Sequence, residues 1–496
     1  TLRRSRRQRQ MCIRDSPSVG AVSQYLSRIK LSSGWRRSKR RFDSDIARIP
    51  RIGPFLLEWS RRLRHAVVDL SQPGRLFEDL GVTYVGPVPG HDLVALDSVL
   101  RKALEEEEAP IIVHVRTRKG YGYRPAETDK VGFHGAALPP MPDQSTAVAP
   151  TNGTNPPDGD ASPTAAERRQ RQVPNYTAVM SEELVRIAEE DERVAAITAG
   201  MPTGTGVAAF GQRFPHRTYD VGIAEQHAMT MATGLALAGQ RPFVALYSTF
   251  LQRAFDQVVH DVCQNDAGVV IGIDRAGLVG EDGTSHQGMF TLSALRQLPN
   301  LVLAAPRDEQ QLRSLLRTAF AQEHPFALQY PRDAGFALEP IEPELIEVGR
   351  GEVLREGTDI VIIGLGPIID RGLTVAAELE QEGWSVGVVD ARFARPIDRE
   401  LILEQARRAR LIVTLEESVL PGGFGAAVLE VLADAAEADV RVPLKRIGLP
   451  DGKFVDHGSV SDLRQQVRID VPGIRAQIEE AIAAHGLTPT EVSVEA

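Results

Sequence analysis

Residues 175–335 alternate short apolar runs with stretches of helical periodicity. The runs are Val194–Thr198, Pro242–Tyr247, Val269–Asp274 and Leu301–Ala305. Runs of four to eight apolar residues separated by amphipathic helices predict strands of a doubly wound parallel sheet, covered on both faces. Residues 345–496 repeat the pattern as a separate unit, with strands predicted at Asp359–Gly364, Ser385–Asp390 and Arg410–Thr414. Upstream, residues 16–136 read as a partial α/β unit. Ser71–Gly81 predicts a helix start followed by a glycine stop, Leu93–Glu108 a helix, and Pro110–Arg116 a buried strand. Tyr84–Asp92, with its two glycines and two prolines, predicts a turn-rich loop. Residues 137–174 are rich in Pro, Thr, Ala, Asn and Asp without apolar period, which predicts a disordered linker.

Composition changes this picture in two places. The chain has 496 residues and a formal charge of -9, but residues 1–62 hold 17 Lys and Arg against 4 Asp and Glu. That stretch is therefore +13 and the remainder -22. An acidic body suits an enzyme and argues against broad nucleic-acid contact. The basic start, Thr1–Asp15, fits a transit peptide, a nucleic-acid arm, or a foreign or disordered segment, and the last is the reading adopted. Two cysteines, Cys12 and Cys263, imply no disulfide framework and fit a cytoplasmic protein. No run of eighteen apolar residues occurs, so no membrane span is expected.

Candidate chemistry centres on Glu225. It lies in an Ala-Glu-Gln-His knot between a short apolar run and a small-residue helix. A carboxylate there is expected to be desolvated, with raised proton affinity, and able to share a proton with a buried ring nitrogen. The plainer alternative is a helix N-terminal glutamate facing the helix dipole.

Several further segments recur in one order: Ser16–Ala21, Tyr84–Asp92, Arg118–Glu127, the Glu225 knot, Tyr247–Gln257, Asp274–Gly288, Tyr330–Asp333 and Leu415–Gly425. Together they make the chain resemble the 1-deoxy-D-xylulose-5-phosphate synthases, which are transketolase-like thiamine diphosphate enzymes. The resemblance implies an α/β transketolase-like fold. It would have a pyrimidine-binding domain at 175–335, a C-terminal domain at 345–496 and a remnant diphosphate-binding domain at 16–136. It implies a transferase that joins pyruvate to D-glyceraldehyde 3-phosphate with loss of carbon dioxide, the first step of a route to isoprenoid precursors that also supplies thiamine and pyridoxal. A homodimer, with no nucleic-acid or membrane partner, is implied too.

The same resemblance suggests residue roles. Glu225 would meet the aminopyrimidine of thiamine diphosphate, Phe250 would give the ring an apolar face, and Tyr247 would bond cofactor or substrate. Arg253 and Arg332 match phosphate-contact positions, and guanidinium forks suit phosphate. Asp282 would touch substrate. His286 and His134 would move protons at the intermediate, and His227 would only support its loop. One departure stands out. The family's Gly-Asp-Gly segment and later Asn, which hold magnesium, have no counterpart, so no magnesium ligand is assigned and this chain is expected to have lost most of its first domain. The beta subunit of a 2-oxo acid dehydrogenase and a non-catalytic fragment are the alternatives; the segment Ser16–Gly135 speaks against the former.

Overall fold

The computed structural model describes residues 81–105, 110–128, 174–336, 338, 341–435 and 440–490. The helix expected after Ser71, the linker, His134 and the basic start lie outside the described residues. Contacts divide the chain into two units, 1–158 and 159–496.

In the first unit, strand β1 (Thr83–Pro89) runs parallel to β2 (Ile111–Arg116), with helix α1 (Leu93–Glu105) between them in the chain. This corrects the loop expected at Tyr84–Asp92. The register shifts between Val85 and Val88, so Gly86 and Pro87 sit in an irregularity where a missing proline N–H costs no ladder bond. Two of the segments that carried the resemblance interlock here. The Arg118 N–H donates to His91 Nε2 at 2.6 Å, and Glu127 accepts from Gly122 N–H at 2.9 Å.

The second unit holds two sheets. The seven-stranded sheet uses β3 (Val194–Thr198), β4 (Thr218–Asp220), β5 (Arg241–Tyr247), β6 (Val270–Asp274), β7 (Val302–Ala304), β8 (Phe326–Tyr330) and β12 (Phe393–Arg395). Their spatial order is β12-β7-β8-β6-β5-β3-β4, and every pairing is parallel except β12 with β7. The five-stranded sheet runs β14 (Leu444–Leu449), β13 (Leu411–Val419), β10 (Ile360–Gly364), β11 (Val386–Asp390) and β9 (Glu352–Arg355), with only β9 antiparallel. Every residue of β3, β6, β10 and β11 is buried, which is why these strands read as continuous apolar runs. Strand β7 lies within the predicted run Leu301–Ala305, whereas the short strands β4, β9 and β12 have no such run, and β13 continues five residues beyond the predicted Thr414.

Helices α2 (Tyr176–Glu190) and α4 (Glu309–Ala321) cover one face of the larger sheet. Each is started by a capping side chain: Asn175 accepts from Ala178 N–H and Asp308 from Gln311 N–H. Met180, Leu184, Leu312 and Leu316 of these helices meet Phe243, Phe326 and Leu328 of the sheet, all fully buried. A side chain of this size contributes about 1.5–3 kcal/mol when removed from water. Helix α3 (Glu225–Leu237) covers the other face through Ala228, Met229 and Ala232. The same core cluster continues into Val361, Ile363 and Ile412 of the smaller sheet. Strand β12, which follows β11 in the chain, adds to the edge of the larger sheet, and one hydrophobic cluster runs between the two sheets.

Candidate active site

Parallel sheets place ligand-binding loops beyond the carboxyl ends of their strands. At that edge β5, β6 and β8 end in register at Tyr247, Asp274 and Tyr330. Beside it stands the start of α3, whose first residue is Glu225.

Glu225 is 2% exposed, as its setting predicted. It is not isolated, however. Arg253 Nη1 lies 3.2 and 3.3 Å from its two oxygens. Burying a carboxylate demands a partner, and the Arg253 guanidinium, expected at a substrate phosphate, is the one it finds. The Arg253 side chain is half exposed and lies over the Phe250 ring at 5.6 Å.

Phe250 sits on the helical turn Ser248–Leu251 that follows β5 without a break. Its ring stacks on Tyr247 with centroids 5.8 Å apart and meets the His286 ring edge-on at 5.4 Å. The His286 Nδ1 is tied to Ser285 Oγ at 2.9 Å, which leaves Nε2 for other partners. Tyr247 is nearly buried. Burial pushes its hydroxyl up to about 12, with Arg275 pulling the other way, so it stays a neutral donor and acceptor. Its Oη occupies the space a Cβ at Gly204 would need, since that atom would fall 2.0 Å away. Gly204 is thus a close-approach position.

Arg275 joins these residues to the rest, and the sequence reading missed it. Its guanidinium lies 3.9 Å over the Tyr247 ring. Its Nε donates to Asp282 Oδ2 at 3.1 Å and its Nη1 to the Gly204 carbonyl at 3.3 Å. The backbone is left-handed, with φ +61°, unusual for a long side chain. Arg332 Nη1 reaches the same Asp282 Oδ2 at 3.1 Å. Two guanidiniums therefore converge on one carboxylate oxygen, and their remaining N–H groups suit an anion with several oxygens. The available signal was position: Arg275 directly follows a strand end and precedes Ala-Gly.

One connected group thus links Glu225, Arg253, Phe250, His286, Tyr247, Arg275, Asp282 and Arg332. His227 is exposed and takes no part in these contacts, and His134 lies outside the described residues. The buried carboxylate and the Phe250–Tyr247 stack fit an aromatic nitrogen heterocycle that needs one ring-nitrogen partner and one apolar face. Among the described residues no group of three or more His, Cys, Asp or Glu side chains could hold a metal ion. No helix among the described residues is long and apolar enough to cross a membrane.

Three family descriptions match the chain. "Transketolase, pyrimidine binding domain" covers residues 172–336, "Transketolase, C-terminal domain" covers 349–474, and "1-deoxy-D-xylulose-5-phosphate synthase" covers 9–117. The chain is 45% identical over 481 residues to 1-deoxy-D-xylulose-5-phosphate synthase 1 of Geobacter sulfurreducens, spanning 97% of this chain and 72% of that one. It is 45% identical over 456 residues to the 1-deoxy-D-xylulose-5-phosphate synthase of Desulforudis audaxviator, spanning 92% and 68%. Among solved structures it is similar to a protein described as a split gene transketolase, inactive beta4 tetramer. The TM-score is 0.56 at 31% identity, over 63% of this chain and 99% of that one. A transketolase from Campylobacter jejuni, at 18% identity and TM-score 0.52 over 63% of this chain and 48% of its own, shares the fold.

Proposed function

This chain belongs to the 1-deoxy-D-xylulose-5-phosphate synthase family, a group of transketolase-type thiamine diphosphate transferases, and we propose that it acts in the family reaction. That reaction condenses pyruvate with D-glyceraldehyde 3-phosphate, releasing carbon dioxide and giving 1-deoxy-D-xylulose 5-phosphate. The observation that carries the proposal is the buried Glu225 carboxylate at the start of α3, one guanidinium away from the Phe250–Tyr247 stack.

When bound, thiamine diphosphate supplies the electron sink for decarboxylation and carbon–carbon bond formation. Glu225 would hold a proton at a ring nitrogen of the aminopyrimidine, with Arg253 keeping the carboxylate in place. Phe250 would give that ring its apolar face. Arg275 and Arg332 would take the acceptor's phosphate, with Asp282 bonding to both guanidiniums and fixing their orientation. Tyr247 would orient the substrate through its neutral hydroxyl. His286, with Nδ1 tied to Ser285, would pass a proton through Nε2 near the developing alkoxide. A homodimer, the assembly that the family resemblance implies, is proposed as the working form.

The likeness to the split gene transketolase favours a second reading, in which these residues turn over only beside another chain that brings the diphosphate site. Purified chain mixed with thiamine diphosphate, magnesium, pyruvate and D-glyceraldehyde 3-phosphate decides between the two. Product formation supports activity of the chain alone. A folded chain that yields no product, and gains activity on addition of a diphosphate-binding domain, supports the second reading.

A further inference from the structure

Asp274, the last residue of β6, is a titratable group without a place in the scheme above. It stands in register between Tyr247 and Tyr330. Residues paired in a parallel sheet project from the same face, so the carboxylate has a tyrosine on each side. It is fully buried. Its Oδ2 accepts from Thr177 Oγ1, on α2, at 2.8 Å. Its Oδ1 accepts no hydrogen bond and lies 3.9 Å from Arg275 Nη1. Burial holds this carboxyl up, at about 6, against Arg275, Thr177 and the more distant Arg332. The Tyr330 hydroxyl, also buried and unbonded, brings no compensating charge.

We propose that Asp274 is a positioning residue for the phosphate-binding arginine: fixed by Thr177, it is the buried counter-charge that holds Arg275 in its left-handed backbone and over the Tyr247 ring. The inference rests on the assignment of Arg275 to the acceptor phosphate. A side chain as long as arginine loses rotamer entropy when ordered, and the left-handed backbone adds cost. Asp282 holds Arg275 at Nε, the Gly204 carbonyl and Asp274 hold it at Nη1, and Tyr247 supports its face. None of these contacts uses Nη2. The guanidinium is thus held at Nε and Nη1 before an anion arrives, which lowers the ordering cost of binding.

The sign of the effect separates this role from a plain charge effect. A carboxylate 3.9 Å from the guanidinium lowers the local positive potential. If charge were its only influence, removing it would tighten anion binding. If it positions Arg275, removing it loosens binding.

The test uses the full chain at about pH 8, above the titration of Asp274. Inorganic phosphate is titrated calorimetrically into the parent, Asp274→Asn and Thr177→Val. Turnover is measured with D-glyceraldehyde 3-phosphate and with D-glyceraldehyde. Asp274→Asn should weaken phosphate binding about five- to tenfold and raise KM for the phosphorylated aldehyde by the same factor, with KM for pyruvate and for D-glyceraldehyde unchanged. Thr177→Val, which only frees Oδ2, should act in the same direction by about twofold and carries the test if Asp274→Asn does not fold. Unchanged or tighter phosphate binding in a folded Asp274→Asn overturns the proposal, as does an equal KM rise with both aldehydes. A parent chain that binds no phosphate overturns the assignment of Arg275, and this proposal with it.

Discussion

Arg253 Nη1 lies 3.2 Å from the buried carboxylate of Glu225, so the group expected to act on the cofactor ring is held by a partner that is itself half exposed. The pair gives a direct prediction. Glu225→Gln keeps the shape and leaves Arg253 in water, so the unfolding midpoint should not move, while turnover falls by about a hundredfold or more. Arg253→Ala instead strands a buried charge and should cost about 1–3 kcal/mol of stability. In the double variant most of that cost should vanish, which a denaturation cycle would measure. Parent-level turnover in Glu225→Gln would remove Glu225 from the chemistry.

The convergence of Arg275 and Arg332 on Asp282 predicts selective damage. Arg332→Ala should raise KM for the aldehyde phosphate about tenfold or more and barely change KM for pyruvate. Arg275→Lys should not be conservative, because an ammonium loses both the fork to Asp282 and the planar stack on Tyr247. Steady-state kinetics with each substrate varied in turn would decide; equal changes for both substrates would argue against a phosphate role.

Stability away from the site depends on Glu183. It is fully buried on α2 and lies 2.6 Å from Arg317 and 3.3 Å from Arg313, both on α4. Arg313 is itself only 5% exposed. Glu183→Ala would leave Arg313 buried with only Glu182 to meet it and should destabilise by about 3–5 kcal/mol. Urea unfolding of the purified variant is the check, and a loss below about 1 kcal/mol would mean that the helices are held by their apolar contacts alone.

A pH dependence follows from Glu416, on β13. It is buried and accepts the N–H groups of Phe424 and Gly425 at 2.7 and 2.8 Å. Burial pushes its carboxyl up to about 7, against those hydrogen bonds and that of Ser418. The folded state therefore binds this proton more tightly than the unfolded chain, whose value is 4.5. Stability from this group is greatest below the unfolded value and declines as pH rises through about 7. Glu416→Gln removes the dependence. The parent should lose on the order of 2 kcal/mol relative to the variant between about pH 5 and pH 8, measured by urea midpoints. A difference that is flat across that range would mean Glu416 is ionised throughout. Glu182, held below the usual carboxylate range by Arg313, works in the opposite sense: its contribution is present above its unfolded value and lost in acid.

The strands β3, β5, β6, β10 and β11 were legible because both faces of each are covered, so burial leaves an unbroken apolar run in the chain. The sequence by itself also determined which residue types crowd one edge of the sheet, because strand ends are marked by where those runs stop, at Tyr247 and Asp274. Pairing was not legible. Strand β12 is three residues long and, although it follows β11 of the smaller sheet in the chain, pairs with β7 of the larger one. Neither was the partner of each charge. Which arginine neutralises Glu225 and which two share Asp282 depends on distances of a few ångströms between residues 7, 28 and 50 positions apart. Local pattern records how each segment is buried. Only the folded chain decides which buried charge meets which, because a carboxylate removed from water must be matched by whatever donor the packing brings within reach.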